Sequence, residues 1–481
     1  MWTESQMDML DSPQGSEAMG VAGRMRFSVY KPSAVQNPEP FWFMQKVDHT
    51  GLNNTLFKQR IYINTKEYKA GGPIYLFNSG ETPASPSYLY GGEPYQLAKN
   101  TGGILVIMEH RYYGQSYPVS DMSGPSMQYL TVENSLDDIA NFIRNAPAFI
   151  QASTGIEIAS NSKWVVTGGS YSATLAAWAR MQYPDLIHAA YASSAPVVAQ
   201  VDFFQYDQVV GEALPCASKI ADAIDTLDLI LDSKSRTLID SWKRASGLEQ
   251  VKDDVDFAGA FIDQMSNVVQ YYVPPAPGTN APDAIASLCS WFDRQQYIPL
   301  QNLADMTSAY IRFNSIDTVS AYSSLAGAHS TNLGQDGRAW YYQTCTQFGF
   351  WQTAPRPPQR RLRSKYLTAE WQRTPCSVFF GDTVTGDVNT DKINSKYGGL
   401  KPNVTRVVFV NGLHDPWSRL SIVSEARYGK GLTNTRGNTI LTMPLASHVT
   451  DFYVGANRTD FGVNVVREKI LEAIMQYLAE D

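Results

Sequence analysis

The chain carries two kinds of apolar patterning, and they divide it into segments. Phe57–Asn64 (FKQRIYIN) alternates apolar and polar positions, which predicts a half-exposed strand. Pro73–Asn78 (PIYLFN) and Gly103–Met108 (GILVIM) are almost continuously apolar. Runs of that kind predict strands covered on both faces, as in a parallel sheet. Glu133–Ala146 places Leu136, Ile139, Ala140 and Ile143 on one face of a predicted helix. A strand at Trp164–Thr167, a helix through Ala173–Arg180 and a strand at Ile187–Tyr191 follow. This β-α-β succession predicts an α/β fold with a doubly wound core.

From about Val201 to Cys376 helical periodicity takes over, as in Ile220, Ile224, Leu227 and Leu231, with a turn-rich break at Val273–Gly278 (VPPAPG). Strand character returns at Arg406–Val410 (RVVFV) and Thr439–Met443 (TILTM). The last stretch, Val463–Ala479, repeats Val466, Ile470, Ile474 and Tyr477 on one stripe of a helix. The expected organisation is an irregular segment 1–40, an α/β core made of 41–200 and 377–481, and a helical insert 201–376. No internal repeat is visible.

Composition narrows the function classes. A chain of 481 residues exceeds one ordinary core, and 43% apolar with 18% charged residues describes a globular protein. The net charge of −7 disfavours a nucleic-acid partner, which would call for a basic face. No apolar run reaches the ~18 residues of a membrane-spanning helix. Met1–Pro40 has no apolar h-region, so no signal peptide is expected in the chain as given. The four cysteines, Cys216, Cys289, Cys345 and Cys376, form no C-x-x-C pair, so no metal site is expected; two disulfides in any of three pairings are. Sequons begin at Asn53, Asn403 and Asn457. With the even cysteine count they favour a secreted or vacuolar/lysosomal protein. Ala354–Tyr366 (APRPPQRRLRSKY) is basic and reads first as a solvated loop, or else as a field that draws peptide carboxylates toward a cleft.

Chemistry enters at Gly168-Gly169-Ser170-Tyr171-Ser172. A strand running into a helix through small residues, with serine at the apex, is the layout of a nucleophile elbow. Serine needs a base, and the base an orienting acid. Of six histidines, His49 and His329 lie in polar stretches, His110 precedes the elbow, and His188 sits in an apolar run. Asp415 follows RVVFV and His448 follows TILTM. Both sites are at carboxyl ends of predicted strands, where open α/β sheets bind ligands, and their order is nucleophile, acid, histidine. His414 is the rival base. The oxyanion donors expected are the amide of Tyr171 and that of Gly80, in the loop Asn78-Ser79-Gly80-Glu81.

Gly168-Gly169-Ser170-Tyr171, Asn411-Gly412-x-x-Asp415-Pro416-Trp417 and Ser447-His448 together resemble the signatures of the prolyl carboxypeptidase-like serine peptidases, family S28. Phe43-x-Gln45-Lys46-Val47-Asp48-His49, Glu109–Gly114 (EHRYYG), Tyr129-Leu130-Thr131 and Ala192–Val197 (ASSAPV) fit the same family, and the resemblance runs from about Phe41 to the C-terminus. It implies an α/β-hydrolase core capped by a helical domain, a Ser170–Asp415–His448 triad, and hydrolysis on the carboxyl side of proline. Through the block Tyr341–Thr346 (YYQTCT) it also implies a Cys345–Cys376 disulfide, which leaves Cys216 with Cys289. The chain departs from the elbow pattern at Ser172 and Ala173, where glycine is usual. Both are small, so the elbow survives if those sites are helical, and a positive φ there would be costly.

A proline beside the scissile bond calls for a rigid apolar pocket. Glu81, Trp417, Trp340 and Trp351 are the candidate pocket residues. No cofactor is expected. The expected partners are proline-containing peptides or proteins, with no nucleic acid and no membrane, and the chain is expected to be a monomer or homodimer. The alternatives are an esterase-like hydrolase, since a triad alone does not fix the acyl group, and a binding protein on a catalytically altered scaffold.

Overall fold

A computed structural model describes residues 38–275, 282–356, 359–384, 386–424, 437–453 and 461–481. Most of the segment 1–40 lies outside these residues, as do Asn457 and part of the break at 273–278.

The central sheet has eight strands: β1 (Phe41–Lys46), β2 (Leu56–Asn64), β3 (Ile74–Asn78), β4 (Ile104–Met108), β5 (Trp164–Gly169), β6 (Ala189–Ser193), β9 (Val407–Gly412) and β10 (Thr439–Met443). Their order is β1-β2-β4-β3-β5-β6-β9-β10. β2 runs antiparallel to β1 and β4, and every other pairing is parallel. With helices on both faces, this is an α/β-hydrolase arrangement. Two short strands outside it, β7 (Gln200–Asp202) and β8 (Gly349–Trp351), pair in parallel.

Strand alternation sorts the core into two layers. Ile74, Leu76, Val106 and Val166 face the helices α2 (Val132–Thr154) and α3 (Tyr171–Gln182). Tyr75, Phe77, Leu105, Ile107 and Val165 face the other side. There they meet Leu97 of α1 (Glu93–Thr101) and Ile470 and Ile474 of the terminal helix, Phe461–Ala479. All five residues of β3, and likewise of β4, are buried, as continuous apolar runs require.

Two expectations shift. β2 is half-exposed only at its start and then buried, because it lies between β1 and β4. The helix expected over 133–146 continues to Thr154 through Pro147. Interior proline costs about 3 kcal/mol, but the added turns bury Ile150 fully and set Phe149 edge-on against Phe43 at 5.4 Å. Thr131 caps the start of α2 by accepting the Asn134 amide hydrogen, and Gly155 ends it with left-handed backbone.

Between β7 and β8 the described regular elements are helical: α4 (Gln205–Ala213), α5 (Ala217–Asp232), α6 (Arg236–Ala245), α7 (Asp254–Gly259), α8 (Asp263–Gln270), α9 (Ala284–Cys289), α10 (Pro299–Phe313), α11 (Thr318–Tyr322) and α12 (Asp336–Gln343). The apolar stripe Ile220, Ile224, Leu227 and Leu231 of α5 is buried. After β8 come α13 (Ala369–Phe380), which runs across the boundary expected at 376, then α14 (Thr390–Tyr397) and the terminal helix, α15. Cys216–Cys289 ties the start of α5 to the end of α9, and Cys345–Cys376 ties the turn after α12 to α13. Both are the pairs that the family resemblance implied.

The basic stretch is matched by acids rather than left free. Arg360 pairs with Asp222 (2.5 Å), Arg361 with Asp225 (2.9 Å) and Lys365 with Asp232 (2.6 Å), all along α5. Arg363 pairs with Asp207 of α4 (2.7 Å). These partners leave little net field to draw a substrate carboxylate, and the ladder fastens the returning chain across the helices.

Candidate active site

Three strand ends and one tight turn build the site. β5 ends at Gly169, and Ser170 follows at φ 60°, ψ −131°, a conformation rare for a residue with a side chain. A Cβ on Gly168 would sit 2.3 Å from the main chain of Ser172, so only glycine allows the turn to close. The strain is held by a hydrogen bond from the Ser170 amide to the Ser193 carbonyl at the end of β6 (2.9 Å). Ser170 remains half-exposed. Ser172 and Ala173 lie inside α3, so neither needs a positive φ. The Ser172 hydroxyl also donates to the main-chain oxygen of Asn78, tying the loop after β3 to the elbow.

Asp415 and His448 come from the adjacent ends of β9 and β10. Leu413 donates its amide hydrogen to Met443 O (3.0 Å), and His414 donates to Ala446 O (3.1 Å). A Cβ on Gly412 would collide with the main-chain oxygens of Ala446 and Ser447 at 2.3 and 2.4 Å, so a glycine lets the two loops touch. His448 Nδ1 then lies 2.8 Å from Asp415 Oδ2, with both side chains buried. Asp415 Oδ1 accepts the Trp417 amide hydrogen (2.9 Å). The carboxyl group is thereby held on both oxygens, and His448 presents Nδ1 to it, with Nε2 on the other side of the ring. Val449, next in sequence to His448, donates its amide hydrogen to Ser194 Oγ (2.9 Å), and its side chain sits against Gly169. His414 is half-buried, and its amide serves the loop contact. Asp415 pairs with His448.

In the loop after β3 the Gly80 amide donates to Asn78 Oδ1 (2.9 Å) in a local turn. The Tyr171 amide, at the first position of α3, has no helical acceptor. Next to Gly80, the half-buried Glu81 carboxyl is pushed up to about 7 by desolvation, offset in part by the charge of His448. Burial also raises the hydroxyls of Tyr113, Tyr171 and Tyr271, and the Glu81 charge adds to each shift.

Of the three candidate pocket tryptophans, two belong together. Trp417 lies 6.4 Å from the His448 ring, and Trp340 lies 5.5 Å from Tyr171 (ring centroids). Phe350 joins them, 5.3 Å from Trp417 and 6.3 Å from Trp340, and Phe348 stacks on Phe350 at 5.1 Å. The sequence reading placed Trp351 here instead. Trp351 belongs to a separate buried cluster with Tyr112, Tyr341 and the Cys345–Cys376 bridge, whereas Phe350 lies in the main core. The result is an aromatic arc from Tyr171 to His448 that includes Phe348 and Phe350, both absent from the sequence-based candidates.

Of the sequons, Asn403 is exposed, and half-buried Asn53 donates to the Tyr129 hydroxyl (3.2 Å). Among the described residues no cluster of three or more His, Cys, Asp or Glu is placed to hold a metal ion, and no helix is long and apolar enough to cross a membrane. A cavity lined by Thr405, Arg406, Asn438, Tyr477 and Asp481 lies at the amino ends of β9 and β10, the opposite end of these strands from Asp415 and His448.

The chain is similar to known serine peptidases. A family profile described as serine carboxypeptidase S28 matches residues 45–470. A thymus-specific serine protease of Mus musculus is 29% identical over 479 residues, covering 93% of this chain and 89% of that protein. The Homo sapiens protein of the same name is 30% identical over 419 residues, covering 81% of this chain and 79% of its own length. A protein named probable extracellular serine carboxypeptidase from Arthroderma benhamiae is 29% identical over 445 residues, covering 82% of this chain and 60% of that protein.

Proposed function

The chain belongs to the S28 family of serine peptidases, and on that premise we propose that it hydrolyses peptide bonds on the carboxyl side of proline. Ser170 attacks the prolyl carbonyl while His448 Nε2 takes its proton. Asp415 holds the tautomer and stabilises the imidazolium, and the Tyr171 amide donates to the developing oxyanion. His448 returns the proton to the leaving amine, and water then hydrolyses the acyl-enzyme. The observation that carries this reading is the buried His448–Asp415 pair at 2.8 Å, in a loop whose Val449 side chain sits against Gly169, the residue before the strained Ser170.

The proline preference rests on the family resemblance and on the aromatic arc. A pyrrolidine ring is compact and rigid, and rings such as Trp340, Phe350 and Trp417 suit it through contact area at little entropic cost. Helices of the segment 201–376 cap this pocket. For the leaving side we propose action near a free carboxyl terminus, with endopeptidase cleavage as the competing mode. At acidic pH the neutral Glu81 sets no fixed negative charge against a peptide carboxylate. The paired cysteines favour a secreted or vacuolar/lysosomal site of action.

An organofluorophosphonate tests the nucleophile. Peptide mapping by mass spectrometry is expected to find the adduct on Ser170, and Ser170→Ala is expected to abolish both labelling and turnover. Labelling elsewhere, or turnover by Ser170→Ala, rejects the assignment.

A further inference from the structure

Two buried glutamines reach from the helical segment into the catalytic machinery. Gln343 ends α12 and has no exposed surface. Its Oε1 accepts from the Tyr113 hydroxyl (2.6 Å), and its Nε2 donates to the Tyr171 hydroxyl (2.8 Å). His110 completes the chain. Its Nδ1 faces the Arg111 carbonyl at 2.7 Å, an atom that only accepts, so Nδ1 carries the hydrogen and Nε2 accepts. The Tyr171 hydroxyl therefore donates to His110 Nε2 (3.2 Å). Burial lowers His110 to about 4, in keeping with a neutral ring. Every polar atom in this chain has a defined donor or acceptor role, so the Tyr171 side chain is locked on the residue whose amide follows the nucleophile.

Gln270 ends α8 and is 3% exposed. Its main-chain oxygen accepts the His448 amide hydrogen (2.9 Å). Its side-chain Oε1 accepts from Trp417 Nε1 (3.1 Å) and from the Tyr206 hydroxyl (2.7 Å). Trp417 in turn donates its amide hydrogen to Asp415 Oδ1. One residue of the helical segment thus holds the backbone of the base directly and the acid through Trp417.

We propose that Gln270 and Gln343 are positioning residues, through which the helical segment sets the Tyr171 amide and the His448–Asp415 pair in the mutual placement that the reaction needs. The proposal rests on the Ser170–Asp415–His448 reading. A merely structural role would have the same contacts lower stability without touching turnover by the folded enzyme. A positioning role lowers kcat, because misplacement by a fraction of an ångström acts on the transition state.

The test uses Gln343→Met, Gln270→Met, Gln343→Glu and Gln270→Glu in the full chain, with kcat and KM measured against pH beside Tm. The Met variants keep side-chain length and lose the side-chain hydrogen bonds, while the Gln270 main-chain oxygen that accepts the His448 amide hydrogen stays in place. Their kcat is expected to fall on the order of 10–100-fold with KM within about threefold, and fluorophosphonate labelling of Ser170 is expected to slow in step. Gln270→Glu keeps an acceptor at Oε1 and is expected to recover most of the loss. Gln343→Glu can donate to Tyr171 only while its carboxyl holds a proton, so its kcat relative to wild type is expected to be highest at acidic pH and to fall as pH rises. Wild-type kcat in the folded Met variants overturns the proposal. So does a Gln343→Glu ratio that stays flat with pH, a readout that remains if the Met variants do not fold. Ser170→Ala separates the two readings. Turnover by that variant rejects the triad itself, whereas a dead Ser170→Ala beside fully active Met variants rejects only the positioning role.

Discussion

Ser193 and Asp451 share a hydrogen bond of 2.7 Å, from the Ser193 hydroxyl to Asp451 Oδ1, while the Ser193 carbonyl accepts the Ser170 amide hydrogen. Asp451 lies three residues past His448 and takes a second hydrogen bond from the Tyr191 hydroxyl at 2.6 Å. A single residue at the end of β6 therefore ties the Ser170 backbone to the loop that carries His448. Ser193→Ala leaves one oxygen of a buried carboxyl unpaired, a cost of about 1–3 kcal/mol. The expected outcome is a lower Tm together with a several-fold lower kcat; a Tm loss with wild-type kcat would show that the tie supports the fold alone.

Glu81 gives the site a pH dependence of its own. Its carboxyl is pushed up to about 7 by desolvation, so it is neutral at acidic pH and ionises as pH rises through that value. The groups that interact with it are His448, Tyr113, Tyr171 and Tyr271. For a peptide with a free carboxyl terminus, kcat/KM is expected to fall as pH passes about 7. Glu81→Gln is neutral throughout, so it is expected to keep activity to higher pH. An alkaline limb that does not move in the variant would remove Glu81 from this role.

Glu93 predicts a stability profile. Its carboxyl is raised from 4.5 to about 8, chiefly by desolvation and in smaller part by the Asp451 charge, against the opposing charge of Arg467. A carboxyl raised on folding stabilises the protein below its unfolded value near 4.5, and that contribution is lost as pH climbs toward 8. Tm is therefore expected to decline over this window, and Glu93→Gln to flatten the decline. Calorimetry at a series of pH values checks it; an equally steep Tm profile in Glu93→Gln would contradict the assignment.

The aromatic arc makes a prediction about neighbours. Phe350→Leu is expected to raise KM for prolyl substrates on the order of 10-fold, because Phe350 bridges Trp340 and Trp417. Trp351→Phe is expected to leave KM unchanged, since that ring belongs to the cluster around Cys345–Cys376. Steady-state kinetics on the two variants decides which face of β8 borders the pocket.

The sequence made the frame of the site legible for physical reasons. β3 and β4 declare themselves because strands covered on both faces must be apolar throughout. Asp415 and His448 stand out because chemistry in this architecture sits just past strand ends. What stayed hidden depends on tertiary context. A three-residue strand does not reveal which of Phe350 and Trp351 faces the pocket. Nothing in a glutamine at the end of a helix marks Gln270 as the anchor of a histidine 178 positions later. Nor does the sequence show that the Gly80 amide meets the Asn78 side chain in a local turn. The departures at Ser172 and Ala173 bring no positive φ, because both sites are helical, and the Ser172 hydroxyl ties the elbow to the β3 loop.

The most direct test of the account is a cleavage map of a diverse peptide library by wild type and Ser170→Ala, resolved by mass spectrometry from acidic to mildly alkaline pH. The account predicts cuts on the carboxyl side of proline by the wild type and none by the variant. Cuts that ignore proline, or that persist in Ser170→Ala, would contradict it.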